Sequence, residues 1–223
     1  KKLMVIFRGI NLEYFNSKII TDKKINDLVQ NWNIDKKNFI ILLPGRLTKW
    51  KGQEMFIEAL NLLIENHGKN NFHAIILGSD QGRNIYSKKL LLSVERYRLG
   101  KKVTFINSCK EMPVAYKLAD IAISASIEPE AFGRVAIEAQ AMNVPIIASN
   151  LGGSKETVLN NKSGLLFKSE DAKELASVIN KFMKMDKESL NLMGDQGRKN
   201  VEKKFNVDQM CQTTFTEYKK LLK

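Results

Sequence analysis

Short apolar runs alternate with longer stretches whose apolar residues recur at helical spacing, and this alternation limits the possible folds more than any other feature. The runs FIILLP (39–44), FHAIIL (72–77), KVTFI (102–106), IAISA (121–125), VPIIAS (144–149) and GLLF (164–167) have the length and composition of buried strands. Helical periodicity predicts helices over 52–66, 84–99, 111–119, 133–142 and 154–160, then 170–184, 187–203 and 207–222. Gly100 is placed to close the second of these, and Ser154 and Ser169 to cap two later ones. Parallel strands joined by crossover helices give this pattern, so the chain is expected to be α/β, with a doubly wound, Rossmann-like parallel sheet. Ligands of such a sheet bind beyond the carboxyl ends of its strands.

At 223 residues, 43% of them hydrophobic, the chain can bury one substantial core. No apolar run approaches the roughly 20 residues that cross a bilayer. The opening KKLMVIFRGI is too short for a signal sequence and has no cleavage site. Cys109 and Cys211 stand far apart without metal-ligand spacing, as packing residues in a reducing compartment would. A cytoplasmic location is therefore expected, with peripheral contact at an anionic membrane face left open. The net charge of +12 favours anionic partners: nucleotide, nucleic acid or acidic lipid. The basic stretches YSKKLLLSVERYRLGKK and VEKKF fall on expected helix faces and read as solvated charge. There is no repeated aromatic-and-basic pattern of the kind that single-strand binders use, so no nucleic-acid partner is expected.

Before the first core strand, LMVIFRGINLEYF reads as a strand-like run with a Gly turn, followed by a polar helical segment that has no strand to pair with. It looks like the tail of something that precedes it. The loop PGRLTKWKGQ after the first strand carries Arg46 and Lys51 into a helix. Gly45 and Gly52 are spaced wrongly for a Walker loop. Taken alone the two cations read as solvated charge; the alternative is a clamp on a diphosphate beside a helix start. Gly78, in ILGSDQGR, is either a turn glycine or a point where the backbone passes close to a neighbour, and the dinucleotide fingerprint is not completed. The loop INSCKEMP, which contains Ser108, could offer backbone groups to a base edge. His67 and His73 lie outside the expected ligand loops and read as structural.

The stretch SIEPEAFGRVAIEAQ (126–140) sets Glu130 and Glu138 eight positions apart. Were 130–138 helical throughout, the two carboxylates would lie about 12 Å apart along the axis and about 80° around it. Such a pair cannot share one proton or pinch one metal, but it could hold the two ends of an extended ligand. Glu138 could accept from a vicinal diol, with N–H groups of the AFGR segment turned to anionic oxygens. Judged singly, each acid reads as an exposed helix residue before it reads as a ligand.

EAFGRVAIEA, followed by VPIIASNLGGSKETV and SGLLF, resembles the signature of the retaining family 4, or group 1, glycosyltransferases of the two-lobed GT-B fold. PGRLTKWKG and ADIAISAS match the same family, so the resemblance runs from about 39 to 222. RGINLEYF resembles the family's linker, and FNVDQMCQTTFTEYKKLL its last helix, which crosses back to the other lobe. The resemblance implies a C-terminal, donor-binding lobe: an interlobe linker over 1–20, a nucleotide-sugar-binding Rossmann-like domain over 21–203, and a crossing helix over 204–223.

By position it implies that Arg46 and Lys51 hold the donor diphosphate, and that Glu138 binds the ribose hydroxyls while Glu130 faces the transferred sugar. Phe132, Gly133 and Arg134 would contact sugar or phosphate, with Gly78 and Ser108 at the nucleotide. Asn107 and Asn143 stand where the family commonly has glycine, which puts the turn geometry there in question. The implied reaction moves a hexose from a nucleoside diphosphate to an acceptor hydroxyl with retention, in cell-envelope polysaccharide (such as lipopolysaccharide) or glycolipid synthesis. The acceptor, a lipid or saccharide, would be selected by the other lobe. With no Asp-x-Asp, neither a metal nor another cofactor is expected. The alternatives are a nucleotide-sugar epimerase or a phosphorylase of the same fold, or a non-catalytic nucleotide-sugar-binding module.

Overall fold

The computed structural model describes residues 3–82 and 84–221. The expected strands form as β1 (Phe39–Pro44), β2 (Phe72–Leu77), β3 (Val103–Ile106), β4 (Ile121–Ser124), β5 (Ile146–Ser149) and β6 (Gly164–Phe167). They pair, all in parallel, into one six-stranded sheet of order β3-β2-β1-β4-β5-β6. The chain winds outward from β1 to β3, then returns past β1 to β4. The loops that leave β1 and β4 therefore part at a switch point, where a doubly wound sheet opens a crevice.

The helices are α1 (Asp22–Trp32), α2 (Gln53–His67), α3 (Asn84–Arg96), α4 (Met112–Leu118), α5 (Arg134–Ala141), α6 (Ser154–Thr157), α7 (Ala172–Met183), α8 (Lys187–Lys204) and α9 (Val207–Leu221). Alternate strand residues feed opposite layers. Ile41, Leu43 and Ile76 pack with Phe56, Leu60, Leu90 and Ile179 of α2, α3 and α7. Ile40, Leu42 and Ile75 pack with Val114, Tyr116, Ile137 and Val201 of α4, α5 and α8. Both faces are covered, which is why the strands read as unbroken apolar runs. Among the described residues no helix is long and apolar enough to cross a membrane.

Several expected boundaries move, each for a local reason. α3 stops at Arg96 because Arg98 (φ 55) turns left-handed; Arg98 N–H donates to the Glu95 carbonyl and Leu99 N–H to the Val94 carbonyl. Gly100 lies beyond that closure. Ser154 is the first residue of α6 and caps nothing. Asp171, not Ser169, caps α7, its carboxylate accepting from the Glu174 N–H at 2.9 Å. α6 is a single turn ending at Thr157, whose carbonyl accepts from the side chains of Gln140 and Asn200.

The strand-like run before α1 makes no strand: Ile10 forms one bridge to Asn206, and Ile10 and Phe15 are buried, while Leu3 and Val5 remain 90% and 76% exposed. The polar segment after it becomes α1, capped by Thr21. The outermost residues of the expected 1–20 and 204–223 segments, among them Leu222, lie outside the described residues. Asn143 takes the left-handed turn (φ 58) that a glycine would take, and its side-chain amide donates to Asp195 at 2.8 Å.

Two predictions concern the frame that holds the switch point. Gly52 is left-handed (φ 71), and a Cβ there would lie 2.0 Å from the Ala125 carbonyl at the end of β4. Gly52→Ala is expected to cost about 2–3 kcal/mol in urea unfolding; an unchanged midpoint would mean that the β4 end yields freely. His73 is buried in β2 with Nε2 2.8 Å from Thr104 Oγ1, and burial lowers its pKa. A folded pKa below the unfolded value favours the neutral ring. Stability should therefore be full above the usual histidine range and fall as pH drops through it, and His73→Gln should flatten that slope.

Candidate functional site

The loop after β1 is built by its own glycines and by Gln53. The Gln53 amide, fully buried at the start of α2, donates to the Arg46 carbonyl at 2.8 Å and accepts from the Tyr86 hydroxyl at 3.3 Å. Burial holds the Tyr86 phenol protonated, with its pKa pushed up to about 12. Gly78 passes so close to this loop that a Cβ would meet the Gly45 carbonyl at 1.9 Å, so its neighbour is backbone rather than ligand. Trp50 lies beneath both cations: Lys51 Nζ is 4.4 Å and the Arg46 guanidinium 5.8 Å from its ring centre. The Trp50 carbonyl accepts from the Ile127 N–H at 2.8 Å, joining this loop to the one after β4.

That second loop carries Glu130. Helix α5 begins only at Arg134, after Gly133 turns left-handed (φ 79), so Glu130 is not helical and the single-helix spacing drawn for the two acids does not apply. Instead Glu130 reaches across the switch point. Its Oε1 lies 2.7 Å from Lys51 Nζ and accepts from the Ser126 hydroxyl, with the Lys51 and Glu130 side chains only 13% and 15% exposed. The loop rests on Gly152 and Gly153 after β5. Gly153 N–H donates to the Glu130 carbonyl at 2.8 Å, and Cβ atoms at Gly152 and Gly153 would lie 2.5 Å from the Glu130 carbonyl and 2.6 Å from that of Phe132.

Glu138 is on α5, and its carboxylate accepts from the Tyr116 hydroxyl at 3.0 Å and from Arg134 Nη2 at 2.9 Å. Burial raises its pKa above the ordinary carboxylate value; Tyr116, Arg134 and the charge of Lys51 oppose that shift. Tyr116 is wholly buried, while Arg134 is 69% exposed at its side chain. No side chain caps α5, which leaves the N–H groups of its first turn unclaimed by a capping side chain.

The expected residues thus separate into groups. Arg46, Lys51 and Glu130 meet at the switch point, and Arg134 and Glu138 pair at the start of α5. Phe132 packs edge-on to Phe205 at 5.7 Å, between α5 and the chain entering α9. Ser108 is exposed in the loop after β3, and among the described residues it bonds none of the others. Its neighbour Asn107 lines a cleft of about 320 Å³ with Leu47 and Gly78, beside the Arg46 loop. Sequence reasoning did not find Trp50, Gln53, Ser126 or Tyr116. Gly152 and Gly153, within the quoted VPIIASNLGGSKETV, lack the side chains that would block the approach of the Glu130 loop.

Residues 24–200 match the family described as glycosyl transferases group 1, so the chain belongs to that family. Its parallel sheet with flanking helices is that of the C-terminal lobe of a GT-B glycosyltransferase. Among solved structures, a glycosyltransferase of Rickettsia africae superposes with a TM-score of 0.94 at 31% identity, over 100% of this chain and 58% of its own. The Anabaena protein HepE, solved with UDP and glucose, gives 0.88 at 26% identity, over 97% and 57%. The capsular polysaccharide biosynthesis glycosyltransferase CapM of Staphylococcus aureus is 28% identical over 96% of this chain and 53% of its own. The chain spans about half the length of the curated relatives it matches.

Proposed function

We propose that this chain is the donor-binding half of a retaining glycosyltransferase that takes a hexose from a nucleoside diphosphate and passes it to an acceptor hydroxyl. One observation carries the proposal: at the switch point Lys51 and Glu130 hold one another at 2.7 Å, with Arg46 sharing the Trp50 face beside Lys51. A diphosphate would take the place of Glu130 at Lys51, and the exposed Arg46 would close on the same anion. Freed from Lys51, Glu130 would face the sugar and offset the positive charge that grows on its ring as the bond to phosphate breaks. Glu138 has acceptor capacity beyond its two present donors and would take the ribose hydroxyls.

Phe132, Gly133 and Arg134 would bring the first turn of α5 to sugar or phosphate, and Ser108 would border the nucleotide, while Gly78 serves only to let the Gly45 backbone pass. The donor class is supported by the likeness to a protein solved with UDP and glucose. The likeness to CapM supports a place in cell-envelope polysaccharide or glycolipid synthesis. We assign residues 1–20 to an interlobe linker, 21–203 to the donor domain and 204–223 to the returning helix, with the acceptor selected by the complementary lobe. The setting is the cytoplasm, with peripheral contact at the anionic inner membrane face.

In front-face transfer the acceptor oxygen bonds the anomeric carbon on the side from which the diphosphate leaves. The departing phosphate oxygen takes the acceptor's proton, so atoms and charge balance without a protein base. Arg46 and Lys51 neutralise that leaving group, and activity is expected to survive chelation of divalent ions. Calorimetry with UDP and UMP tests the clamp: UDP should bind more tightly, and Arg46→Ala with Lys51→Ala should remove the preference, about tenfold or more. An undiminished preference in the double variant overturns the assignment.

A further inference from the structure

α3 turns a mixed apolar and basic stripe to solvent, and we infer that this stripe is a docking surface for an anionic lipid bilayer. At 100° per residue, Ile85, Leu92 and Arg96 fall within about 40° of one another, opposite the buried Leu90 and Val94. Lys88 and Lys89 flank them, about 60° to one side and 40° to the other. The outermost line of a surface helix is ordinarily polar. Here it holds Ile85 at 90% and Leu92 at 64% exposed. Single exposed apolar residues are unremarkable. Two on one line between cations match an interfacial helix, with apolar tips entering the headgroup layer and cations meeting lipid phosphates.

The charge favours this occupant over a second copy of the chain or a neutral apolar partner. Lys88, Lys89, Arg96, Arg98, Lys101 and Lys102 lie on α3 and the turn after it, against the single acid Glu95. Of these, Lys89 is paired with Glu54 at 2.7 Å of α2, while Lys88, Arg96, Arg98 and Lys101 are exposed. Place matters too. α3 starts at the carboxyl edge of the sheet, and Tyr86, next to Ile85, bonds the Gln53 that fixes the Arg46 loop. A bilayer against this stripe would lie beside the mouth of the candidate site, where an amphiphilic acceptor would present its hydroxyl. The surface stands on exposure and charge and on none of the donor-site roles, so nucleotide binding and vesicle binding can fail separately.

The experiment is co-sedimentation of the chain with vesicles of phosphatidylcholine alone and of phosphatidylcholine with about 30% phosphatidylglycerol. Binding to the anionic vesicles should be about tenfold stronger or more. I85S/L92S and K88E/R96E should each lose about tenfold while keeping the wild-type melting temperature and UDP affinity. F215S/Y218S, on the separate apolar patch of α9, should bind as wild type does. Equal binding to neutral and anionic vesicles overturns the inference. So does sedimentation without vesicles that I85S/L92S removes, which would make the stripe a contact between copies, and so does loss of vesicle binding in F215S/Y218S with retention in the α3 variants.

Discussion

The 223-residue chain is expected to bind a nucleoside diphosphate without transferring sugar, and to gain acceptor-dependent transfer by about 1000-fold or more when the complementary lobe is supplied. The sheet is covered on both faces and its helices are packed, so binding does not wait on a second lobe. Transfer is expected to: under the half-molecule assignment the acceptor's binding groups lie on the complementary lobe, and an acceptor without them meets the donor from bulk solution. The N-terminal segment and α9 expose Leu3 (90%), Val5 (76%), Phe215 (59%) and Tyr218 (64%), an apolar surface suited to cover by that lobe. Radiolabelled transfer is measured for the chain alone and again with the complementary half. Enzyme-like turnover by the isolated chain would sink the half-molecule assignment, while donor hydrolysis alone would agree with it.

The two acids should separate cleanly. Glu130→Gln is expected to lower transfer by the two-lobed protein about 100-fold or more without weakening UDP, because a neutral amide cannot offset charge on the sugar ring and no longer competes for Lys51. Glu138→Gln should instead weaken UDP itself by about 1.5–3 kcal/mol, since an ionised acceptor is lost. Acidity gives a second reading of Glu138. Burial raises its folded pKa, so the ionised form that the ribose needs is complete only above that raised value and disappears as pH falls through it. UDP affinity should therefore decline on acidification from a higher pH than an ordinary carboxylate would set, and the decline should be absent in Glu138→Gln. For stability the sign is opposite: burying the charge costs most above the folded pKa and is relieved below it. Equal losses of UDP affinity in both variants would remove the division of roles.

The strands were legible because all but the half-buried edge strand β3 are short apolar runs buried on both faces, although the exposed run over 3–7 imitates that pattern without pairing. Their order was not, since β1 meets β4 through contacts some 80 residues apart, which local periodicity does not carry. The helix ends shifted where the capping group differed from the one the sequence offered, as with Arg98 in place of Gly100 and Asp171 in place of Ser169. At the site, motif residues could be named, but their grouping could not. Glu130 and Glu138 were drawn along one helix, although Gly133 between them was the sign of a break. Tyr116 acts through Glu138 on another helix, so nothing in its own neighbourhood marks it. The basic run on α3 read as plain solvated charge because exposure of Ile85 and Leu92 follows from packing alone.

In the proposed donor site the ion pair between Lys51 and Glu130 would act as a guard on the clamp. A pocket that gathers cations for a diphosphate would, left open, attract any small anion in the cell. Under the proposed function the protein supplies its own placeholder: Glu130 would hold Lys51 until something more strongly charged displaced it. A singly charged intruder gains little by the exchange, whereas a diphosphate also draws in Arg46 and offsets the carboxylate's eviction. Arrival of the diphosphate and release of the acid would then be one event, so Glu130 would be freed only when a nucleoside diphosphate occupies Lys51.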